Sequence, residues 1–384
     1  MNAGTAPSPV TSLVVCSLEP WGTVRRRIRI LVDELVALEP RMRVLYVVPA
    51  FDVPHEMRRG AARSRPGRRL EQVHPQVHVL RPRKWLPRSL GPGADRLLGR
   101  QLARTAEDLG LVAPLLWVND AAYARFSVAS GWPIIYDVTD DWLLAPLAPR
   151  RLERLKADDA LLVARSDAVV VCSLDLARSR GRTRPVDLIP NGVDVDRFRR
   201  PYQRPADLPG GPIALYVGTL HEDRVDLELV HDLARARPEL QIVLVGPDDL
   251  PAAKTARLAA LPSVHLLGAK PYDEVPAYLQ HADLVIVPHR VNPFTESLDP
   301  IKAYECLAAE RPTVATPVAG FRGLGPPVVI APRETFVAAV GSALAKGVPA
   351  AGTAPSAPAL PTWRERAEAM DAVMARVREQ RCAA

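Results

Sequence analysis

LVIVPHRVNPFTESLDPIKAYECL, residues 284–307, decides the fold. Leu284 to Val287 is a short unbroken apolar run, the pattern of a strand buried on both faces. A polar loop follows, and from Ile301 to Ala309 apolar residues return at helical spacing. Ser297 or Asp299 suits the N-cap of that helix, and Pro300 suits its first turn. A buried strand that runs through a loop into a helix is the repeating unit of a parallel α/β sheet. The start of the helix offers free N–H groups and the positive end of a dipole, which together make an anion site. Glu305 lies about one turn beyond Ile301 on a helix of 3.6 residues per turn. A carboxylate there can accept hydrogen bonds from a ribose diol while phosphates occupy the helix start. Its helical neighbours are mostly apolar, and a carboxylate buried among them is rare without a partner.

The same unit recurs outward from this stretch. Ile213–Val217, Ile242–Val245, Val264–Leu267 and Thr313–Ala315 read as strands, with helices at Leu227–Arg235, Lys254–Ala260 and Val275–His281 between them. The first of these strands ends at Gly218, where the backbone can be approached closely, and Arg224 follows six residues later as a cation for a diphosphate. Upstream, Leu13–Cys16, Val44–Val48, Val77–Leu80, Pro114–Val118, Pro133–Tyr136 and Ala168–Cys172 form a second series. Helices are expected at Val24–Leu38, Leu97–Leu109 and Leu152–Ala164. The chain therefore reads as two doubly wound α/β domains. Residues 1–192 form the first, 193–346 the second, and 347–384 an Ala/Pro-rich linker with a terminal amphipathic helix returning toward the first. Ligands of such sheets bind beyond the carboxyl ends of the strands, so a cleft between the two domains is the expected site.

Composition narrows the class. The chain has 384 residues, 48% hydrophobic and only 5% aromatic, enough apolar content for two packed cores built on aliphatic side chains. Its four cysteines, Cys16, Cys172, Cys306 and Cys382, are far apart and have no histidine at ligand spacing, which argues against a disulfide framework or a zinc site. No D-x-D motif sits in a suitable loop, so no metal is expected. No run reaches the length of a membrane span, and the opening MNAGTAPSPV lacks the basic and apolar regions of a signal peptide. A cytoplasmic location is the expectation. The net charge of +7 is uneven: residues 58–104 carry thirteen Lys and Arg against Glu71 and Asp95, a net +11, leaving −4 for the remainder. That stretch suits either a solvated loop or an anionic surface, such as the inner membrane face or a lipid-linked acceptor. Nucleic acid is not an expected partner. No G-x-G-x-x-G follows the first strand, which disfavours a dinucleotide-dependent dehydrogenase.

A family resemblance accompanies these readings. Ile189-Pro190-Asn191-Gly192-Val193-Asp194 with Phe198, then Tyr216-Val217-Gly218-Thr219-Leu220, and finally the run through Glu305 into Arg311-Pro312-Thr313-Val314-Ala315-Thr316 resemble, in order and spacing, the motifs of glycosyltransferase family 4. Pro20-Trp21-Gly22 and Pro300-x-Lys302-x-Tyr304-Glu305 are most similar to its teichuronic-acid branch. The resemblance implies the GT-B architecture, two Rossmann-like domains facing across a cleft. It implies glycosyl transfer from a nucleoside-diphosphate sugar to a hydroxyl acceptor, as in cell-surface polysaccharide, glycolipid or glycoside synthesis, with the nucleotide sugar as co-substrate and no further cofactor. Donor contacts are then expected at Gly22, Gly218, Thr219, Arg224, Arg290, Ser297, Leu298, Asp299, Lys302 and Glu305. Two positions depart from the family: Thr219 stands where an arginine is usual, with Arg290 and Lys302 as replacement cations, and Ser297 stands where the first glutamate of E-x7-E falls.

The acceptor side belongs to the first domain. Asp137, Asp140 and Asp141 follow the PIIY strand, and Asp140 or Asp141 can position or deprotonate an acceptor hydroxyl; a helix cap with first-turn acids is the equal alternative. Trp21, Arg26 and the pair Asn119-Asp120 are further acceptor-side candidates. Two other functions fit the same architecture, a sugar-nucleotide 2-epimerase and a non-catalytic scaffold partnering another transferase.

Overall fold

The computed structural model describes residues 11–53, 68–86, 93–348 and 359–383. Much of the basic stretch (residues 54–67 and 87–92) and of the Ala/Pro-rich linker (residues 349–358) lies outside the described residues.

The first sheet holds β1 (Ser12–Cys16), β2 (Arg43–Val47), β4 (Leu70–His74), β5 (Val77–Leu80), β7 (Leu115–Val118), β8 (Ile134–Val138), β9 (Ala168–Val171) and β10 (Asp187–Leu188). Its order is β10-β9-β8-β7-β1-β2-β5-β4, and only β4 runs antiparallel to its neighbour. A two-stranded ribbon pairs β3 (Phe51–Asp52) with β6 (Arg83–Lys84). The second sheet holds β11 (Ile213–Val217), β12 (Gln241–Val245), β13 (Val264–Gly268), β14 (Leu284–Val287), β15 (Thr313–Ala315) and β16 (Val328–Ile330), in the order β13-β12-β11-β14-β15-β16, parallel throughout. Every residue of β1, β7, β8, β9 and β14 is buried, as expected of mostly apolar strands covered on both faces.

In each sheet the winding reverses once. The reversal falls between β1 and β7 in the first and between β11 and β14 in the second. Neighbouring loops diverge to opposite faces at such a point and leave a crevice beyond the strand ends.

The helices largely follow the apolar spacing, from Arg27–Leu38 to Ile301–Ala308. Two differences are instructive. Strand β8 continues through Asp137 and Val138 instead of ending at Tyr136, because Asp137 finds a buried partner in Arg27 (3.7 Å) and accepts from Trp117 Nε1 at 3.1 Å. The helix Arg333–Lys346 has no match in the sequence reading; it buries Phe336, Val340 and Gly341, and its four alanines and its glycine blur the apolar period.

The helix Trp363–Ala383 packs on Arg27–Leu38 of the first domain. Trp363, Ala367, Met370, Val373, Met374 and Val377 all enter the core beneath the first sheet, at the i, i+3, i+4, i+7 spacing of one helical face. Arg376 pairs with Asp187 at 2.6 Å and Arg381 with Asp167 at 2.8 Å, fixing the outer face to the sheet's edge. Met370 is wholly buried there, so Met370→Ala should lower stability by about 2–5 kcal/mol through lost transfer energy and the cavity left behind. Urea denaturation followed by circular dichroism would measure it; a loss under about 0.5 kcal/mol, the range of surface substitutions, would mean the helix is only loosely seated.

Candidate active site

The two winding reversals face each other across one cavity of about 370 Å³. From the first sheet it is lined by Leu18 and Glu19 after β1, Asn119 after β7, and Thr139 and Asp140 after β8; from the second by Gly218 and Thr219 after β11, His289 after β14, and the start of the helix Ile301–Ala308.

Gly218 is required by two constraints at once. Its φ is +151°, and a Cβ would collide with the side chain of Lys302. The glycine therefore lets a buried ammonium sit directly over the turn, 5.8 Å from the centre of the Tyr216 ring. Lys302 lies one turn before Glu305 on the same helix face. Burial lowers the Lys302 ammonium to about 8, with Glu305 pulling it back up, and burial raises the Glu305 carboxyl to about 7, with Lys302 opposing. Neither Ser297 nor Asp299 caps this helix: Pro300 occupies the cap position and contributes no side-chain bond, so the first N–H groups open toward the cavity. Asp299 instead accepts from Asn191 N and Tyr304 Oη, at 2.5 and 2.8 Å.

Arg224 reaches across the cleft to Asp140 Oδ1 at 3.2 Å and lies over the Phe294 ring. Arg26, from the opposite domain, donates to Thr219 Oγ1 at 3.2 Å. A cation thus stands at Thr219 after all, supplied from the first domain rather than by Arg290. His289 is buried with Tyr216 Oη 3.3 Å from its Nε2, and burial, with Lys302 and Arg224 nearby, holds it well below its ordinary value and therefore neutral. The cavity combines a floor carrying Lys302 and Arg224 with a facing wall that carries Glu19 and Asp140.

Of the predicted site residues, Asp140, Gly218, Thr219, Arg224, Leu298, Asp299, Lys302 and Glu305 line the cavity, as do Arg26 and Asn119. Six predicted residues do not line it: Trp21 packs against Tyr46 and Arg29, Asp120 caps the turn Ala121–Tyr123, and four others are placed as follows. Asp141 turns away: Arg180 holds its carboxylate at 2.9 Å, and the carboxylate also caps the short turn that follows. Ser297 spends both polar groups between domains, its Oγ accepting from Asp141 N and its carbonyl from Ser173 Oγ at 2.6 Å. Arg290 is exposed, its side chain bonding the Val225 carbonyl, and Gly22 is exposed, with open space where a Cβ would stand and its carbonyl accepting from Arg29 at 3.2 Å. Glu19, Arg27, His221, Asp223, Lys270 and Tyr272 line the cavity without having been singled out. Glu19 was discoverable, for it sits just past β1 at the reversal point; Lys270 and Tyr272 carry no local signal.

Two largely parallel sheets facing through their reversal points are the GT-B architecture. Residues 211–346 match the model of the glycosyl transferases group 1 and are a group 1 domain. Bacillus subtilis TuaH, whose name assigns it to teichuronic acid biosynthesis as a glycosyltransferase, is 25% identical over 332 residues, covering 79% of this chain and 80% of that protein. A sucrose-phosphate synthase from Thermosynechococcus elongatus shares the fold with a TM-score of 0.69 at 18% identity, covering 97% of this chain and 99% of that one. Anabaena HepE, solved with UDP and glucose, shares it with a TM-score of 0.59 at 17% identity, covering 98% and 99%. None of these findings supports the epimerase alternative.

Because Gly218 meets a conformational and a steric demand together, Gly218→Ala should cost about 1–3 kcal/mol and displace Lys302 from the turn. Thermal unfolding beside the wild type checks this; an unchanged melting temperature would show that the turn relaxes freely.

Proposed function

We propose that this transferase takes its sugar from a nucleoside-diphosphate donor held by the second domain and passes it to a hydroxyl of a cell-surface polysaccharide precursor. The observation that carries the reading is the convergence of Gly218, the uncapped start of Ile301–Ala308, Lys302 and Arg224 on one side of a single cavity. Backbone N–H groups and two cations at that spacing suit the charge that develops on a departing diphosphate. Glu305, deeper on the same helix, is placed to accept from a ribose diol. The UDP and UDP-glucose of the HepE structures support a nucleotide-sugar donor, and the likeness to TuaH supports a polysaccharide acceptor.

Arg224 would exchange its bond to Asp140 for the outer phosphate. Calorimetry against a panel of nucleoside diphosphates tests the reading. Arg224→Ala should weaken the best diphosphate by about 1.5–3 kcal/mol, the scale of a charge-assisted hydrogen bond, and the monophosphate less. Equal losses for both ligands would remove Arg224 from the outer phosphate, and no binding by any diphosphate would remove the donor reading itself.

We also propose that the chain works at the inner face of a membrane, where residues 58–104 meet anionic lipid. Among the described residues no helix is long and apolar enough to cross a membrane, and Arg68 and Arg69 are exposed, whereas Arg81 and Lys84 are paired with Glu71 and Asp52. Each basic residue near such a surface contributes about 1 kcal/mol, screened by salt. The chain should sediment with phosphatidylserine vesicles at low salt and not with phosphatidylcholine vesicles, and charge reversal at Arg68 and Arg69 should weaken this. Equal sedimentation with both vesicles would rule it out.

A further inference from the structure

Three large apolar side chains of the first domain stand together in solvent. Trp85 is 58% exposed, Leu86 40% and Leu97 38%. Trp85 and Leu86 directly follow β6, and Leu97 lies on the helix Gly93–Asp108. The two elements are fastened to each other. Gln101, on the helix, accepts from the Arg83 N–H at 3.2 Å and donates to the Arg83 carbonyl at 2.9 Å. Leu86 leans on the first turn of the helix, its Cδ1 3.6 Å from where a Cβ on Gly93 would stand. Leu97 is one turn further along that same face. The rim of the patch is basic. Arg96, Arg100 and Arg104 recur every four residues along one side of the helix, and all three are exposed. No acid occurs between Asp95 and Glu107, so the stripe from Arg96 to Arg104 carries three positive charges and no negative one.

The patch stands at the end of the first sheet that faces the cavity. β5 runs parallel to β2, and β2 to β1, so the residues past β5 lie at the same end as Leu18 and Glu19 past β1. The helix Gly93–Asp108 then returns the chain to the start of β7, also parallel to β1, which places Gly93 and Leu97 at the cavity end.

We propose that Trp85, Leu86 and Leu97 insert into the interface of an anionic bilayer while Arg96, Arg100 and Arg104 meet the lipid phosphates, seating the cavity end of the first domain against the membrane. An exposed apolar cluster rimmed by one sign of charge marks an interaction surface, and a tryptophan beside arginines matches the mixed chemistry of the headgroup region. The proposal rests on the reading of the chain as one that docks on anionic lipid, and adds to it an apolar anchor and an orientation. Charge attraction brings the domain to the surface and is screened by salt; the buried apolar area holds it there and is not.

The test uses the full chain and mixed phosphatidylserine and phosphatidylcholine vesicles, some with brominated acyl chains that quench nearby tryptophans. Trp85→Ala should weaken sedimentation at low salt about tenfold or more, the scale of leaving one large apolar side chain in water, and keep the wild-type dependence on salt. Changing Arg96, Arg100 and Arg104 to Gln should flatten that dependence. Brominated chains should quench the wild type more than Trp85→Phe, which still sediments. Leu97→Ser should act in the same direction as Trp85→Ala, and decides in its place if circular dichroism shows that variant misfolded. Wild-type sedimentation by the deciding variant, or equal quenching of the wild type and Trp85→Phe, would overturn the insertion and leave charge-driven docking standing. A Trp85-dependent dimer in gel filtration, without quenching, would give the patch to a second copy of the chain and overturn the proposal. A wild type that sediments with no vesicle would overturn the docking reading as well, so the two failures are told apart.

Discussion

A buried chain of polar contacts ties the helix Ile301–Ala308 to the core of the opposite domain. Asp137, inside β8, faces Arg27 at 3.7 Å, and Arg27 Nη1 donates to Asn191 Oδ1 and to the Pro190 carbonyl, both at 3.2 Å. Asn191 in turn bonds Asp299 through its backbone N–H and its side-chain amide, and Asp299 accepts from Tyr304 on that helix. Arg27 and Asp137 are almost wholly buried, so removing either one strands a charge away from water. The position of Lys302 and Glu305 relative to Glu19 depends on this chain. It also explains why Asp299 is unavailable as a helix cap, leaving the anion site open.

The same loop carries a second constraint. Gly192 lies so close to Thr362 that a Cβ would strike its backbone, and Val193 N–H donates to the Pro361 carbonyl at 2.9 Å. The two segments that pass between the domains therefore run side by side. The Arg224–Asp140 and Arg26–Thr219 contacts lie across the cleft and would be remade when phosphates enter.

Much of the fold was legible because parallel sheets enclosed on both faces need unbroken apolar strands, and those runs are local. Leu284–Val287 and Ile213–Val217 could be read without knowing their neighbours. One cavity wall was legible for other local reasons: Gly218 directly follows β11, Glu305 lies about one turn into a helix read from its apolar spacing, and Lys302 falls within a motif resemblance. What failed was long-range. Asp141 and Asp140 are adjacent and chemically alike, and only the distant Arg180 and Arg224 separate their roles. Ser297 occupies a motif position, yet its hydroxyl is claimed by a backbone 156 residues away. Glu19 lacked a motif but not a physical signal, since it follows a strand at the winding reversal.

The return of the helix Trp363–Ala383 to the first core has a consequence for biogenesis. Translation proceeds from the N-terminus at about 5–20 residues per second, and domains commonly fold as they emerge. Here the surface formed by Ile28, Leu31 and Leu35 stays uncovered until the helix Trp363–Ala383 leaves the ribosome. The part of the enzyme made first is thus the last to be finished. The intervening domain, whose strands all lie between residues 213 and 330, can mature on the nascent chain while its neighbour still exposes an apolar groove. A chain interrupted before that helix would carry a formed second domain beside a first domain with an exposed apolar groove, the kind of species that chaperones and proteases clear.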